Sequence, residues 1–356
     1  MRNFVSMKVD YIVVGTGIAG ICFCELLCAQ GKSFVVLDNG SQKSSAVAGG
    51  LYNPVVLKRF TSVWKSDEQI ALALPFYQQL EEKLGVKLDY KIPVYRKFAS
   101  LEEQNNWFSA CDKPLLSKWL SPKVIKNSNA AIDAPFGFGE VLDTGRIDVK
   151  TLVDTYQQRL KEEGLFIEEG FDYDLLINNP DSIQYKDIQA KHIVFSEGFG
   201  IKQNTFFNHL PLVPAKGELL IIHAPELKIN FVLKAGVFLI PLDNDQYIVG
   251  ATYEWKDLTN KTSDKARTEL LSKLKKLIDC PFEVVNQVAG VRPTVKDRRP
   301  LVGQHPQFKN LYVLNGLGTR GVMIGPYVAK QLYDFIEYQT PLEDDIDIKR
   351  FQDLMT

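Results

Sequence analysis

Two stretches of this 356-residue chain carry residue types at spacings that can do chemistry. The first is VDYIVVGTGIAGICFCELLCAQGKSFVVLD. It sets Gly15, Gly17 and Gly20 between a continuous apolar run and an apolar segment that stops at Gly31, and a second apolar run ends at Asp38. A Gly-x-Gly-x-x-Gly turn between buried strand and helix, with an acid about 20 residues on, is the spacing that receives a dinucleotide. Gly15 permits the tight turn, Gly17 lets backbone approach a pyrophosphate, and Gly20 lets the helix lie against the strand. Ile18 and Ala19 place the first amides of the helix at its positive end. Asp38, followed by Asn39, can accept hydrogen bonds from a ribose hydroxyl, and an acid there disfavours a 2′-phosphate. The spacing alone does not separate NAD from FAD.

The second stretch, VAGVRPTVKDRRPLVGQ, holds Arg292, Arg298 and Arg299. A planar guanidinium binds a carboxylate through two parallel hydrogen bonds, which fix orientation as well as position. Arg292 follows an apolar strand and precedes Pro293, which stiffens the step. It is the candidate for aiming at an anionic group, with a structural salt bridge as the alternative. Arg298 and Arg299 read as residues of the connecting turn, paired with Asp297.

The bulk numbers limit what the chain can be. It is 45% hydrophobic and 24% charged, with 42 basic and 43 acidic residues and a formal net charge of −1. That balance argues against nucleic acid or an anionic membrane as the main partner. No apolar run approaches the length of a membrane span, and the start of the chain does not read as a secretory leader, so a cytoplasmic location is expected. The five cysteines do not read as a disulfide framework. Cys22, Cys24 and Cys28 share one helix with no histidine nearby, so packing is the expected role and no metal site is assigned. The four histidines form no recognisable constellation.

After Asp38 the chain runs NGSQKSSAVAGGLYNPVVLKRF, small, polar and glycine-rich, with Ala48, Gly49, Gly50 and Leu51 in sequence. An NAD-type half would move quickly into another helix and strand. Such a segment suits a backbone-lined path along a longer cofactor, or a mobile surface loop.

At this point the chain resembles the D-amino acid oxidase/glycine oxidase family of FAD-dependent amine oxidoreductases over nearly its whole length. GTGIAG…LDNG, SSAVAGGLYNP, DTGRIDVKTLVDTYQQRLKEEG, PLVPAKGELLII, FLIPLDNDQYIVGATYE and AGVRPTVKDRRPLVG…LYVLNGLGTRGVMIGPYVAKQL resemble its segments in the family's order. The resemblance implies an enzyme that oxidises a carbon–nitrogen bond of an amino acid or related amine, using FAD. No cysteine lies in the GVRP segment, so the FAD is expected to be non-covalent. Oxygen or another electron acceptor would complete the cycle. Arg292 matches the family's carboxylate-binding arginine, beside the cofactor. Gly316, Gly318, Thr319, Arg320 and Gly321 match its flavin-ring loop, with Arg320 also able to reach substrate. Gly198 and Gly217 match further cofactor positions. Phe238 and Tyr253 fall where the family places substrate-contacting side chains, with core packing as the alternative; Arg59 and Trp64 are weaker candidates. Glu197, Leu242 and Phe238 depart from the family's pattern and put a simple glycine or D-alanine specificity in doubt. Two alternatives stay open: flavin-dependent oxidation of a modified uridine on transfer RNA, and a non-catalytic FAD-binding protein.

The elements that must position these residues follow. The expected fold is α/β: a discontinuous, doubly wound, Rossmann-like FAD-binding domain, with an inserted α+β substrate domain on a mainly antiparallel sheet. The boundaries expected are 1–60, 140–212 and 286–356 for the first, and 61–139 and 213–285 for the second. Ser66, Ser100, Asp148 and Ser263 are candidate helix caps, and Asp243-Asn244-Asp245 reads as a hairpin turn.

Overall fold

The structure is a computed structural model in which residues 7–354 are described. The chain divides into two compact units, one formed by residues 1–48, 149–215 and 291–356, the other by 49–148 and 216–290.

The first unit is built on a parallel sheet. Strands Met7–Val14 (β1) and Phe34–Leu37 (β2) flank helix Ile18–Ala29 (α1). Across the sheet the order is Phe166–Ile167, β2, β1, Ile188–Phe195 and Leu311–Asn315, every neighbouring pair parallel. In chain order that is 3-2-1-4-5, the doubly wound arrangement. Two antiparallel strands, Leu176–Asn178 and Ile183–Tyr185, extend one stretch of it, and Leu301–Gln304 pairs with Leu311–Asn315. Tyr11 to Val14 and all of β2 are buried, as expected of a strand covered on both faces.

α1 is apolar around most of its circumference, and eight of its twelve residues are buried, Cys22 and Cys24 among them. Burial pushes both thiols well up. The helix meets the sheet at the closest approach in the unit. A Cβ on Gly20 would stand 1.9 Å from the Gly15 carbonyl oxygen. Gly15 itself has φ +100, and a Cβ there would stand 2.6 Å from the Ser196 carbonyl oxygen. Helix Gly321–Tyr338 lies on α1: a Cβ on Gly325 would come 2.9 Å from Ile18 and 3.0 Å from the Cys22 sulfur.

The second unit holds an eight-stranded sheet in the order Glu283–Arg292, Ala215–His223, Gln246–Gly250, Phe238–Pro241, Val232–Lys234, Val94–Lys97, Phe138–Val141, Leu120–Ile125. From Ala215–His223 to Leu120–Ile125 it is antiparallel apart from the pair 232–234 with 94–97. The Asp243–Asp245 hairpin forms, with Asn244 and Asp245 both at positive φ, as a tight two-residue turn demands.

The segment 49–60, expected with the nucleotide-binding unit, clusters with the second one. Leu51–Tyr52 pairs with Gly145–Ile147, and the Gly50 carbonyl accepts from the Ile147 amide at 2.9 Å. Gly50 has φ +69, and a Cβ on it would lie 1.9 Å from the Ile147 oxygen, so only glycine fits this join. Of residues 140–148, also expected with the first unit, Gly145–Ile147 are that segment's pairing partners, and Glu140 and Val141 lie in the second unit's sheet.

Two caps form as expected: Ser100 accepts from the Glu103 amide and Ser263 from the Ala266 amide. Ser66 does not cap. Lys65 takes the left-handed N-cap position and Ser66 becomes the first helical residue. Arg299 meets Asp297 through its backbone amide, while its side chain also reaches Asp345 and the Asp297 carboxylate holds Arg350 as well.

A buried polar network stiffens the second unit. Lys216 is 1% exposed and pairs with Asp257 at 2.6 Å and Glu218 at 3.6 Å. Glu218 accepts from the Ser263 amide and hydroxyl and from Gln287 Nε2. Removing the cation would leave Glu218 buried without its counter-charge. Lys216→Ala is expected to cost about 3–5 kcal/mol of stability, read by urea unfolding; wild-type stability would show the pair to be dispensable. Gly20→Ala sets a methyl against a backbone oxygen that cannot retreat. It is expected to destabilise by about 1–3 kcal/mol and to lower the flavin-to-protein absorbance ratio of the purified protein. An unchanged ratio would show that the helix can move without disturbing the turn.

Candidate functional site

The carboxyl ends of the parallel strands are where a doubly wound sheet receives its ligand. Here β1 ends at Val14, β2 at Leu37, and the strand Ile188–Phe195 runs alongside. Gly15 and Thr16 make the turn, and Gly17 is the extended N-cap of α1, with no side-chain cap. Ile18 and Ala19 are buried in the first turn. Asp38, just past β2, is turned toward this loop: its Oδ2 accepts from the Thr16 amide at 2.7 Å and the Thr16 hydroxyl at 2.5 Å, and its Oδ1 from the Gly40 amide. Each carboxylate oxygen can accept more than one bond, so acceptor capacity remains for a ribose. Asn39 folds back on the Ser41 amide.

Several contributors to this loop were not singled out from the sequence. Thr16 is fixed by Asp38 and also receives Gln157 Nε2 at 2.5 Å. Ser45 Oγ accepts from the Ile18 amide at 3.2 Å and would stand 3.0 Å from a Cβ on Gly17. Ser45 lies inside the small-residue segment SSAVAGG, which was the available signal. The hydroxyls of Thr16 and Gln157's amide carry no spacing signature.

The second glycine loop lies in the same unit. Leu311–Asn315 ends in Asn315, whose Oδ1 accepts from the Gly316 amide at 2.7 Å and whose Nδ2 donates to the Gly198 carbonyl at 3.0 Å. One side chain thus ties the loop after one parallel strand to the loop after its neighbour. Gly316 and Gly318 have positive φ, Thr319 is in the turn, Arg320 is the N-cap of the helix and Gly321 its first residue. The Gly318 amide donates to the Pro293 carbonyl at 3.1 Å; the Thr294 carbonyl accepts from the Val213 amide at 2.7 Å, and the Thr294 hydroxyl donates to the Val213 carbonyl. Arg292 therefore ends its strand on a step that is hydrogen-bonded to the Gly316–Gly321 loop. α1 and the helix Gly321–Tyr338 meet at their starts, Ile18 against Gly321 and Gly325. Two helix N-termini, each carrying positive potential, come together there.

These features fit an anionic dinucleotide. Two adjoining glycine loops leave backbone uncovered, two helix starts supply positive ends, and the buried Ser196 hydroxyl beside Gly20 has no partner in the protein.

In the second unit, Gly49 faces the hairpin. A Cβ on it would stand 2.9 Å from Ile240 and 3.6 Å from the Phe238 ring. A Cβ on Gly250 would stand 2.8 Å from the same ring. Phe238 therefore packs over two glycines, and the Lys234 ammonium lies 5.2 Å from its centroid. Ala48 closes the turn before Gly49, its amide on the Ser45 carbonyl. Gly217 lies buried within the strand Ala215–His223. Tyr253 is 53% exposed and stacks with Trp255 at 6.1 Å. Arg59 borders a surface hollow with Lys58, Phe60 and Lys113.

Glu197 follows the strand Ile188–Phe195. Burial pushes its pKa up to about 7, with the charge of Asp38 adding to the rise and hydrogen bonds from Asn204 and Tyr173 opposing it. Among the histidines, His305 accepts from the Gln307 and Phe308 amides inside an aromatic cluster, and burial lowers its pKa to about 4. It is a turn residue. No helix among the described residues is long and apolar enough to cross a membrane.

The comparisons agree with this geometry. The model of the family described as FAD dependent oxidoreductase, DAO, matches residues 10–335. The glycine oxidase of Bacillus subtilis (strain 168) is 23% identical over 354 residues, covering 93% of this chain and 94% of that protein. The bifunctional tRNA 5-methylaminomethyl-2-thiouridine biosynthesis protein MnmC of Pseudoalteromonas atlantica is 22% identical over 97% of this chain, which spans 58% of that protein. The crystal structure of glycine oxidase from Geobacillus kaustophilus superposes with a TM-score of 0.78 over 97% of this chain and 98% of that one, at 18% identity. With a family model matched along nearly the whole chain and a fold shared end to end, this protein belongs to the DAO family of FAD-dependent oxidoreductases and is an enzyme that uses FAD.

Proposed function

We propose that the enzyme oxidises the carbon–nitrogen bond of a small amine that carries a carboxylate, with Arg292 as the carboxylate's partner. The observation that carries this reading is the Arg292-Pro293 step, hydrogen-bonded through the Pro293 carbonyl to Gly318 in the glycine loop. FAD, when bound, supplies the acceptor for a hydride leaving the carbon next to nitrogen.

The chain's own residues would then have limited tasks. The turn Gly15–Gly20 and the Asp38–Asn39 pair hold the dinucleotide's pyrophosphate and ribose. The Gly316–Gly321 loop, with Gly198, lines the ring, and Ala48 lies at the end of the small-residue segment of the same unit. The helix start at Arg320 and Gly321 favours negative charge near it. Arg292 grips the carboxylate through its planar fork and so fixes which face of the amine carbon is presented. Arg320 adds positive charge on the same loop. No general base is required, because hydride loss from a neutral amine leaves no proton for the protein to abstract from carbon. The FAD is held without a covalent bond.

Oxidation of an amine on a transfer-RNA uridine is the second reading, favoured by the likeness to the bifunctional tRNA protein over nearly all of this chain.

The test is the visible spectrum of the purified holoenzyme under anaerobic conditions, with glycine, D- and L-amino acids and N-methyl amino acids added in turn. Bleaching of the flavin band by one class is the expected result. Arg292→Ala is expected to raise the half-saturating concentration of that substrate about 100-fold, the loss of a charge-assisted pair of hydrogen bonds, with Arg292→Lys intermediate. A flavin band that no amino acid bleaches, but that a transfer RNA bearing an aminomethyl uridine does, would replace this reading with the second.

A further inference from the structure

We propose that Glu197 belongs to the dinucleotide site and that FAD binds with a proton held on its carboxyl group, so that cofactor affinity falls as the pH rises.

The placement comes from the sheet. Val14 pairs with Phe195, and the Ser196 amide donates to the Val14 carbonyl at 2.7 Å, so the two parallel strands end side by side. Glu197 is the next residue. A Cβ on Gly15 would come within 3.4 Å of its Cα, which sets its backbone against the glycine turn. Gln42, from the polar loop after β2, closes over the same place: its Nε2 and the Glu197 Cβ both stand 3.5 Å from where a Cβ on Gly200 would be. The residue is thus enclosed at the carboxyl end of the sheet, with the glycine turn on one side and the Asp38 loop on the other.

Among the described residues, its hydrogen-bond partners hold a carboxyl group but include no cation. The Tyr173 hydroxyl donates to Oε1 and Asn204 Nδ2 donates to Oε2 at 2.7 Å. Both donors are neutral. The titratable groups facing it are Tyr173, whose own pKa burial drives upward, and Asp38, whose negative charge opposes ionisation of Glu197. Thr16, Gln42 and Asn204 are uncharged. Lys202 lies on the same turn but donates to the Asn208 and Leu210 carbonyls instead. A carboxyl so placed already ionises with difficulty, near pH 7. FAD adds two phosphate charges next to the glycine turn and excludes water from it. Both effects disfavour a further negative charge, so the bound state keeps the proton to higher pH than the empty one.

The sign follows from linkage. Below pH 7 Glu197 is protonated with or without FAD, and affinity does not depend on it. Above pH 7 the empty site loses the proton and must regain it to bind, so the dissociation constant rises with pH, by at most tenfold per unit.

The experiment is FAD release from the diluted holoenzyme, followed by recovery of free-flavin fluorescence between pH 6 and 8.5. The wild-type dissociation constant is expected to be level up to about pH 7 and about 30-fold higher at pH 8.5. Glu197→Gln, neutral and of the same shape, is expected to bind FAD with no such rise. Tyr173→Phe removes a donor that favours the ionised form and is expected to move the onset to higher pH. A level wild-type profile overturns the proposal. So does a Glu197→Gln profile that rises like the wild type, or a Tyr173→Phe onset that stays or moves lower.

Discussion

The first unit depends on backbone meeting backbone without side chains between. Gly15 lies against the Ser196 carbonyl and Gly20 against the Gly15 carbonyl, at separations that leave no room for a Cβ. This brings α1 down onto the turn and fixes the direction of its first amides. It also brings Gly321 and Gly325 onto Ile18 and Cys22, so the last helix of the unit is located by the first. The Asn315 side chain then completes the frame, bridging the Gly198 and Gly316 loops through opposite ends of one amide. Residues more than 300 positions apart in sequence are thus set by a few contacts too short for any other residue type.

That geometry also explains how a chain of nearly zero net charge holds an anionic cofactor. Helix starts supply positive potential there in addition to the Arg320 side chain on the second glycine loop. A site built this way is electrostatically modest. It accommodates an acid at Asp38 for the ribose, but it tolerates a second nearby acid only while that acid is neutral. Glu197, with two neutral donors and Asp38 opposite, is placed under that condition.

What the sequence could reveal divides by the range of the interaction. The Gly15–Asp38 unit was legible because turn, helix and acid are local and each glycine has a steric reason. The Ser100 and Ser263 caps and the Asn244-Asp245 turn were legible for the same reason. Ser66 failed as a cap because Lys65 adopts the left-handed conformation one residue earlier. Asp297 was read as the partner of Arg299; it accepts from the Arg299 amide, and a residue 53 positions later, Arg350, also pairs with its carboxylate, which no local pattern shows. The Lys216–Glu218–Asp257 network left no pattern at all, since a lysine in a strand reads as solvent-facing until the sheet that buries it is known. Glu197 stood out as an unexplained acid, and its meaning needed Tyr173 and Asn204, which only the fold brings to it.

The second unit's aromatic residues illustrate how packing limits a functional assignment. Phe238 was read as either substrate contact or core. Its ring covers both Gly49 and Gly250, whose missing side chains make the space it fills. A Cβ on either glycine would crowd the ring, so the two glycines are what make room for it. Tyr253 lies three residues beyond Gly250, more than half exposed, on a loop whose base is pinned by Lys216 to Asp257 and by the Glu218 amide to Thr252 Oγ1. The two side chains therefore differ in kind: one sets the shape of its surroundings, and the other sits on an anchored loop where a change of residue alters the surface without altering the fold.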